Sequence, residues 1–260
     1  MSLLTDLTRA RLIDLTHDWH PGMPHWPTHP PFAYSLTKLH GEQTLPGGVS
    51  SAADLIAMGA HNGTHIDALC HFSQHGRLCG GIEVASIQTY TGGITAHGAE
   101  TIPPLVQRGI LLDFAAAGPL REDHEITPAE LEQAERAAGV RIGPGDIVLL
   151  RTGWARYWNV PARYVNGQRH PGPGLAAAGW LSARGIRAAG ADTVAFELMP
   201  SPSMAVHVHF LVEHGIHILE NLNLEPLAGV REFAVAVAPL RLRGATGAPA
   251  RVFALIEEHP

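Results

Sequence analysis

The hydrophobic pattern of the first half of the chain indicates short strands separated by long loops. Residues 12–16 form an apolar run of strand length, and residues 32–39 alternate between apolar and polar side chains. Residues 53–61 are also apolar. Between the first two runs, residues 20–32 contain several prolines, which interrupt regular structure, so an ordered loop or lid is predicted there.

The second half alternates apolar runs with segments of helical character. The predicted strands lie at 109–114, 145–154, 191–197, 233–242 and 250–256. The predicted helices lie at 127–140 and 174–186, and residues 204–224 indicate a short helix that passes into a strand, with Gly215 between them. Because strands and helices alternate only in this half, the pattern predicts one mixed α/β domain over residues 1–260, not a regular doubly wound sheet.

One helix has clear boundary signals. Thr127 is the predicted N-cap, Pro128 occupies the first helical position, and Glu130 completes a capping box. Gly139 is the predicted end of this helix.

Composition narrows the class of protein. The chain has 260 residues, of which 45% are hydrophobic, enough to bury a substantial core. The net charge is -6 and no basic stripe is present, so a nucleic-acid partner is not expected. The N-terminal segment lacks a signal-like apolar core, and no run approaches the ~20 apolar residues of a membrane span. With only Cys70 and Cys79, too few for a disulfide framework, a soluble cytoplasmic protein without a membrane partner is predicted.

The segment HNGTHIDALCHF, residues 61–72, concentrates chemically active side chains. In an extended backbone, His61, His65 and Asp67 share one face, and two imidazoles with one carboxylate suit a divalent metal. Gly63 lacks a Cβ that would obstruct a metal or substrate. His71 is a candidate general acid/base. Because the chain contains 17 histidines, the spacing alone leaves a chance arrangement equally open.

The motif resembles the His-x-Gly-Thr-His-x-Asp-x-x-x-His signature of the metal-dependent cyclase-like hydrolases, a family that includes bacterial kynurenine formamidase and isatin hydrolase. The segments at 12–27, 145–154, 191–197, 206–228 and 244–255 are also similar to this family. The resemblance implies a swivelling β/β/α fold, with a mixed sheet or barrel and flanking helices. It also implies a Zn or Mn cofactor and a homodimer or homotetramer.

The resemblance implies a role for each matching residue. His61, His65, Asp67 and Glu220 are expected to bind metal, and His71 is expected to act as the catalytic acid/base. A further ligand is either His207 or His209, and His207 is preferred because its surrounding sequence is more similar to the family. Many members have proline two residues after the aspartate, where this chain has Leu69. This departure leaves the substrate open.

Other residues have more than one interpretation. Trp19, Trp26 and Phe72 are candidates for binding a flat or aromatic substrate, although packing in the core would explain them equally well. The loop histidines form either a second metal site or, as preferred here, a solvated group; they are His17, His20, His25 and His29. No Gly-x-Ser-x-Gly elbow supports a serine hydrolase.

The expected function is therefore hydrolysis of a small non-peptide amide or cyclic amide, as in arylformamidases or isatin hydrolases. A metal lowers the pKa of a bound water towards ~7, so hydroxide would attack the carbonyl while His71 moves the proton. Two alternatives stay open. One is a metal-dependent lactonase or esterase, and the other is a non-catalytic metal-binding or ligand-binding protein on the same fold.

Overall fold

The computed structural model describes residues 8–257, and most of the apolar runs form strands there. The strands are β1 (Ala10–Asp14), β2 (Ala33–Lys38), β3 (Thr44–Leu45), β4 (Val49–Ser50), β5 (Ala53–Ala57), β6 (His65–Asp67), β7 (Gln88–Thr89), β8 (Gly93–Ile94), β9 (Leu105–Asp113), β10 (Glu125–Ile126), β11 (Ile147–Arg151), β12 (Gly172–Pro173), β13 (Ala188–Ala191), β14 (His217–Glu220), β15 (Glu232–Pro239) and β16 (Gly247–Glu257). The helices are α1 (Pro128–Ala138), α2 (Pro161–Val165), α3 (Leu175–Ser182) and α4 (Ala205–His207), which continues as a π-helix over Val208–His214. Short 3-10 turns lie at Pro46–Gly48, Cys79–Gly81, Val84–Ser86, Ala99–Thr101, Trp154–Tyr157 and Glu225–Leu227.

Seven strands close into a ring. Their order is β16, β15, β9, β11, β13, β14 and β6, and β6 pairs with β16 to complete it. Strands β9, β11, β13 and β14 run parallel, whereas the pairings of β6, β15 and β16 are antiparallel. Strand β1 is attached to β16 on the outside of the ring. The mixed α/β barrel with flanking helices that the family resemblance implies is confirmed.

The central strands are apolar throughout because both of their faces are covered. Leu111 and Leu149 belong to the cluster that also contains the strand residue Val252, whereas Ile110 and Val148 pack with residues of the helices. Successive side chains of a strand point to opposite faces, so each of these strands contributes side chains to both hydrophobic clusters. An uninterrupted apolar run is the expected sequence signature.

Helix α1 has the predicted boundaries. The Thr127 side chain accepts a hydrogen bond from the Glu130 backbone, the Glu130 carboxylate accepts one in return, and Gly139 ends the helix in the left-handed conformation. The predicted helix at 174–186 is shorter, because α3 ends at Ser182. Within residues 8–257, no helix has the length and apolar character needed to cross a bilayer.

The predicted strand at 191–197 is wrong. The strand β13 comprises Ala188–Ala191, and residues 192–197 form an irregular segment instead. Asp192 explains the change, because its buried carboxylate accepts hydrogen bonds from the backbone of Thr152 and of Gly153. A side chain that binds another segment in this way competes with continued strand pairing.

Strands β2 and β5 pair to form an exposed ribbon, here called the arm, over residues 33–57. Nearly every residue of the two strands is exposed. The arm carries half of the exposed large hydrophobic residues of the described chain, namely Tyr34, Leu36, Leu39, Leu45, Val49, Leu55 and Ile56. Its base is fixed in the protein, since Phe32 and Met58 pack in one cluster with Trp154.

The prediction of one domain over residues 1–260 includes both ends of the chain. Residues 1–7 and 258–260 lie outside the described residues, and one domain over residues 1–260 stays a prediction.

Candidate metal centre

The histidine motif begins in a turn, and only its centre is a strand. Residues 61–64 form the turn and His65–Asp67 form β6. Gly63 has a φ of +58°, and a Cβ at this position would lie 2.2 Å from the indole Nε1 of Trp19. The prediction that Gly63 keeps space open for a metal or substrate is therefore wrong. Glycine fits here because the Trp19 ring occupies that space.

Hydrogen bonds fix this turn to two neighbouring segments. The Thr64 hydroxyl donates to the carbonyl of Asn221 at 2.6 Å, and the Asn62 amide donates to the carbonyl of Pro30 at 2.7 Å. Asn62 and Thr64 are both fully buried. The hydrogen bonds of Asn62 and Thr64 thus hold the turn that positions His61 and His65.

A cluster of buried imidazoles and carboxylates lies at the end of β6. The antiparallel register of β6 and β14 places His65 opposite Glu220. The His65 Nε2 atom lies 3.4 Å from Asp67 Oδ1 and 3.4 Å from Glu220 Oε2. Strand pairing thereby brings together residues that are more than 150 positions apart in the sequence.

His207 joins the cluster from the end of helix α4. Its Nε2 lies 3.1 Å from Glu220 Oε1 and 3.7 Å from Asp67 Oδ2. His209 lies elsewhere, because its Nε2 contacts the Ser182 hydroxyl at 2.8 Å. Of the two histidines considered from the sequence, the structure places only His207 beside the carboxylates.

In both His65 and His207, one ring nitrogen contacts a hydrogen-bond partner outside the cluster. The His65 Nδ1 atom lies 2.8 Å from the carbonyl of Gly63, and the His207 Nδ1 atom lies 2.6 Å from Glu197 Oε2. In the neutral form that a metal ligand requires, a proton on Nδ1 satisfies these partners and Nε2 keeps a free lone pair. In both rings, Nε2 is the atom that faces the carboxylates.

His61 and His71 lie side by side next to this cluster. Their rings are stacked with centroids 3.8 Å apart. His61 Nδ1 lies 2.8 Å from Asp67 Oδ1, and His61 Nε2 lies 2.8 Å from the Thr246 hydroxyl. The ring of His71 also approaches His207, with a centroid separation of 6.4 Å. All six predicted ligand and acid/base residues are therefore close together.

The protonation of the cluster reflects its buried carboxylates. Burial raises the pKa of a carboxyl group, but the imidazoles of His65 and His207 outweigh it and lower the pKa of Glu220 to about 2. Burial also opposes charge on His65 and His207, yet the neighbouring carboxylates raise the pKa of each to about 10. In contrast, burial lowers the pKa of His71 to about 3, so its imidazole is neutral near pH 7. The cluster therefore stabilises positive charge, as a cation site does.

The donor set fits a divalent metal. His65 Nε2 and Asp67 Oδ2 are buried and have no hydrogen-bond partner in the described chain. Three groups of described residues have possible ligand atoms within 4.8 Å of one another, and two of them lie at this site, namely His61, Asp67 and His71, and His65, Asp67 and Glu220. The third group, His209, Glu213 and His214, lies on the π-helix and is mostly exposed. Mixed imidazole and carboxylate ligands suit Zn and related ions. Asp67 belongs to both groups at this site, so the same residues would suit one ion or two.

A cavity opens directly onto the cluster. Its volume is about 170 Å³. Its walls are largely apolar, and the lining residues are Trp26, His29, His61, His71, Phe72, Val194, Ala195, Met204, His207 and Glu220. Two of the three predicted substrate-binding aromatics, Trp26 and Phe72, line this cavity. The third, Trp19, packs against Gly63 and is not among the lining residues.

Comparison with known proteins identifies the family. The family model "Cyclase: Putative cyclase" matches residues 13–198, over two thirds of the chain. The chain belongs to the cyclase family. Among its relatives in this family, a kynurenine formamidase from Bacillus cereus is 28% identical over 243 residues, which cover 92% of this chain and 94% of the relative.

Solved structures of the cyclase family have the same fold. A crystal structure of a novel cyclase superposes with a TM-score of 0.88 at 28% identity and covers 96% of this chain and 88% of that chain. Isatin hydrolase A from Labrenzia aggregata, bound to benzyl benzoate, has a TM-score of 0.79 at 25% identity and covers 98% of each chain.

Three residues around the site escaped the sequence analysis. Glu197 hydrogen-bonds His207, Thr246 contacts His61, and His29 lines the cavity. The apolar pattern predicts a strand at Glu197, and Thr246 lies far from the motif in sequence. His29 was grouped with histidines predicted to be solvated, which is incorrect for His29 and for His17, whose ring stacks on Trp158. The cyclase-family motif contains no signal for these contacts.

Proposed function

We propose that this protein is a metal-dependent hydrolase that cleaves the carbon–nitrogen bond of a small non-peptide amide or cyclic amide. The main support is the convergence of His65, Asp67, His207 and Glu220 at a cavity that also contains His71. The relatives named kynurenine formamidase and isatin hydrolase support an aryl amide or lactam as the substrate.

The cofactor proposed is Zn or Mn. His65, Asp67 and Glu220 would hold one ion, with His61 and His207 as the further ligands. When bound, such an ion polarises a carbonyl oxygen and lowers the pKa of a water molecule. The Asp67 carboxylate lies near the imidazoles of His61, His65 and His207. It would therefore bind the same metal as these histidines.

His71 moves the proton in this proposal. Its imidazole is neutral near pH 7 because burial lowers its pKa, so it can accept a proton from the attacking water. Once protonated, it returns the proton to the leaving nitrogen. One water is consumed, the carbon–nitrogen bond breaks, and the products are a carboxylic acid and an amine.

The cavity has room for one aromatic ring. A volume of about 170 Å³ is similar to that of an apolar cavity of roughly 150 Å³ that takes up benzene. Trp26 and Phe72 supply flat surfaces against which an aromatic ring can stack. A substrate with one aromatic ring next to its amide group is therefore proposed.

A matched pair of substrates tests the reaction class. Protein loaded with Zn or Mn is assayed on formanilide and on phenyl formate, which differ in the leaving atom. The rate of each is compared with its uncatalysed rate, because esters are intrinsically easier to hydrolyse. We expect a large rate enhancement on the amide.

Two results would contradict the proposal in different ways. Turnover of the ester without turnover of the amide would indicate an esterase or lactonase. Bound metal without turnover of either substrate, or of a panel of lactams, would indicate a binding protein.

We further propose that the protein forms a homodimer or homotetramer through the arm. The arm exposes Leu36 on one face and Leu55 on the other, each at least half accessible. It contains about as many residues as one side of a standard interface, about 20–30. A second copy of the chain presents the same apolar surface, and a two-fold axis would bury both arms at once.

Sedimentation of the double variant Leu36→Lys, Leu55→Lys tests this assembly. The wild type is expected to sediment as a dimer or tetramer and the double variant as a monomer. Val106→Lys is the control, because Val106 is even more exposed but lies on β9, outside the arm. A monomeric wild type, or an oligomeric double variant, would contradict the role of the arm.

A cytoplasmic location is also proposed. Cys70 and Cys79 are both free thiols, which suits a reducing compartment. Fractionation of cells that produce the protein would test the location.

A further inference from the structure

A group of metal-ligating side chains outside the cluster around Asp67 lies on the π-helix that follows α4. The group comprises His209, Glu213 and His214, whose ligand atoms lie within 4.8 Å of one another. The rings of His209 and His214 have centroids 4.2 Å apart, and His209 Nδ1 lies 2.9 Å from Glu213 Oε2. None of the three lines the cavity at the buried cluster, and the proposed hydrolysis gives them no role.

The π-helical conformation brings these three residues to one face. Successive residues of an α-helix are about 100° apart around its axis, so a residue five positions on is turned away by about 140°. In a π-helix the backbone hydrogen bonds join residues five positions apart, so the residues at i, i+4 and i+5 are neighbours. The segment Val208–His214 is a π-helix. His209 therefore meets Glu213 and His214 together, which an α-helix would not permit.

The other side of this helix is anchored in the core. Phe210 and Leu211 are buried, and the ring of Phe210 lies 5.7 Å from that of Phe196, measured between centroids. In contrast, Glu213 and His214 are exposed. An ion can therefore reach the three ligand atoms from solvent, on a helix that packing in the core holds in place.

The hydrogen bonds of Ser182 determine which ring nitrogen of His209 is available. The Ser182 hydroxyl donates to the carbonyl of Gly179 at 3.2 Å, and its oxygen lies 2.8 Å from His209 Nε2. Because the hydroxyl proton is directed to the carbonyl, Nε2 of the neutral ring donates to Ser182 and Nδ1 keeps the lone pair. This lone pair faces the Glu213 carboxylate, so two acceptor atoms lie 2.9 Å apart, and a cation bound by both stabilises them. A histidine that binds metal is commonly oriented in this way, by a hydrogen bond to its other nitrogen.

We propose that His209, Glu213 and His214 form a second divalent-metal site, separate from the cluster around Asp67. Two imidazoles and one carboxylate select a transition-metal ion such as Zn over Ca or Mg, which prefer oxygen ligands. Water completes the coordination, since the site faces solvent. The proposal does not depend on the proposed amide hydrolysis.

The amount of bound zinc tests the second site. Wild type and the double variant Glu213→Gln, His214→Gln are dialysed to equilibrium against Zn, and the zinc bound per chain is measured. The control is the double variant His20→Gln, Glu132→Gln, which makes the same substitutions at exposed positions outside the groups of metal-ligating residues. Wild type and control should each bind one more zinc ion per chain than the Glu213→Gln, His214→Gln variant, whatever number the Asp67 cluster holds.

Ser182→Ala tests the orientation of His209. This variant keeps all three ligands and removes the group that holds Nε2. We expect it to weaken zinc binding at the second site about tenfold, the lower end of the usual effect of such a contact. Calorimetric titration of zinc into protein whose buried cluster is already loaded measures this affinity. An affinity equal to that of the wild type would show that Ser182 does not orient a ligand.

Equal zinc content in the wild type and in the Glu213→Gln, His214→Gln variant would overturn the proposal. Binding of calcium at the same site and with the same affinity would also overturn it, because the site would then attract cations without selecting a transition metal. Thermal unfolding in the presence of chelator is expected at the same temperature for both proteins, so that a difference in zinc content reports the site and not the fold. The single variant His214→Gln provides a second measurement, and it should also lose the additional ion.

Discussion

At the scale of single residues, two stacked histidines have different environments. His61 has Nδ1 beside the Asp67 carboxylate, where both would bind the same ion, and has Nε2 held by the Thr246 hydroxyl. The ring of His71 makes no side-chain hydrogen bond within residues 8–257 and faces the cavity. A residue that transfers protons must be free to exchange them with substrate, so the environment of His71 suits the acid/base role.

Replacement of His71 by alanine tests whether His71 transfers protons and does not bind the metal. The variant should retain its bound metal and lose about 10²- to 10⁴-fold in kcat, the usual contribution of a general acid or base. Metal analysis and steady-state kinetics measure the two effects, with the exposed His20→Ala as control. Loss of metal would instead make His71 a ligand together with His61 and Asp67, an arrangement that their proximity also allows.

Gly63 gives a test of the packing behind the site. An alanine Cβ would clash with the Trp19 indole and would have to adopt a φ of +58°. Strain and overpacking together should lower the free energy of unfolding by about 3 kcal/mol. Denaturant unfolding measures this change, and Gly143→Ala is the control because nothing lies within 4 Å of its Cβ. Equal stability of the two variants would contradict the packing role of Gly63.

At the scale of elements, the site depends on how segments distant in sequence are paired. The alternating pattern predicted β14 and the helix before it, but not the register that places Glu220 opposite His65. The register is set by tertiary packing on both faces of the sheet. Likewise, the sequence predicts a strand after β13, but this segment is irregular. Its irregular conformation places Glu197 beside His207.

Glu197 should influence metal binding through His207. Its carboxylate accepts from the His207 backbone at 2.9 Å and contacts the ring Nδ1, and Ser201 donates to its other oxygen. Glu197→Gln should weaken metal affinity about 10- to 100-fold, as the loss of such supporting contacts does. Competition with a chromogenic chelator measures the affinity, and Glu132→Gln, an exposed acid on α1 away from the possible metal groups, is the control. An unchanged affinity would show that Glu197 does not position His207.

At the scale of the whole molecule, the sequence predicted the type of fold better than the details of the site. The apolar runs identify most strands of the ring, because burial on both faces leaves a strong signal. The motif identifies His61, His65, Asp67 and His71, since these lie within one short segment. His29, Glu197 and Thr246 could not be found in this way, because their contacts arise only when the ring closes.

The exposed arm also belongs to this scale. Its alternating sequence predicted a strand for β2 correctly, yet the same alternation normally indicates one buried face. Both faces are exposed here. The structure, and not the alternating pattern, distinguishes a strand of the core from a strand of the exposed arm.

The central claim is that hydrolysis depends on a divalent metal held by the cluster around Asp67. The most direct measurement is the rate of aryl formamide hydrolysis before and after removal of metal with a chelator, followed by addition of Zn or Mn. We predict that removal abolishes turnover and that addition of Zn or Mn restores it. Full activity of the metal-free protein in the presence of chelator would contradict the account.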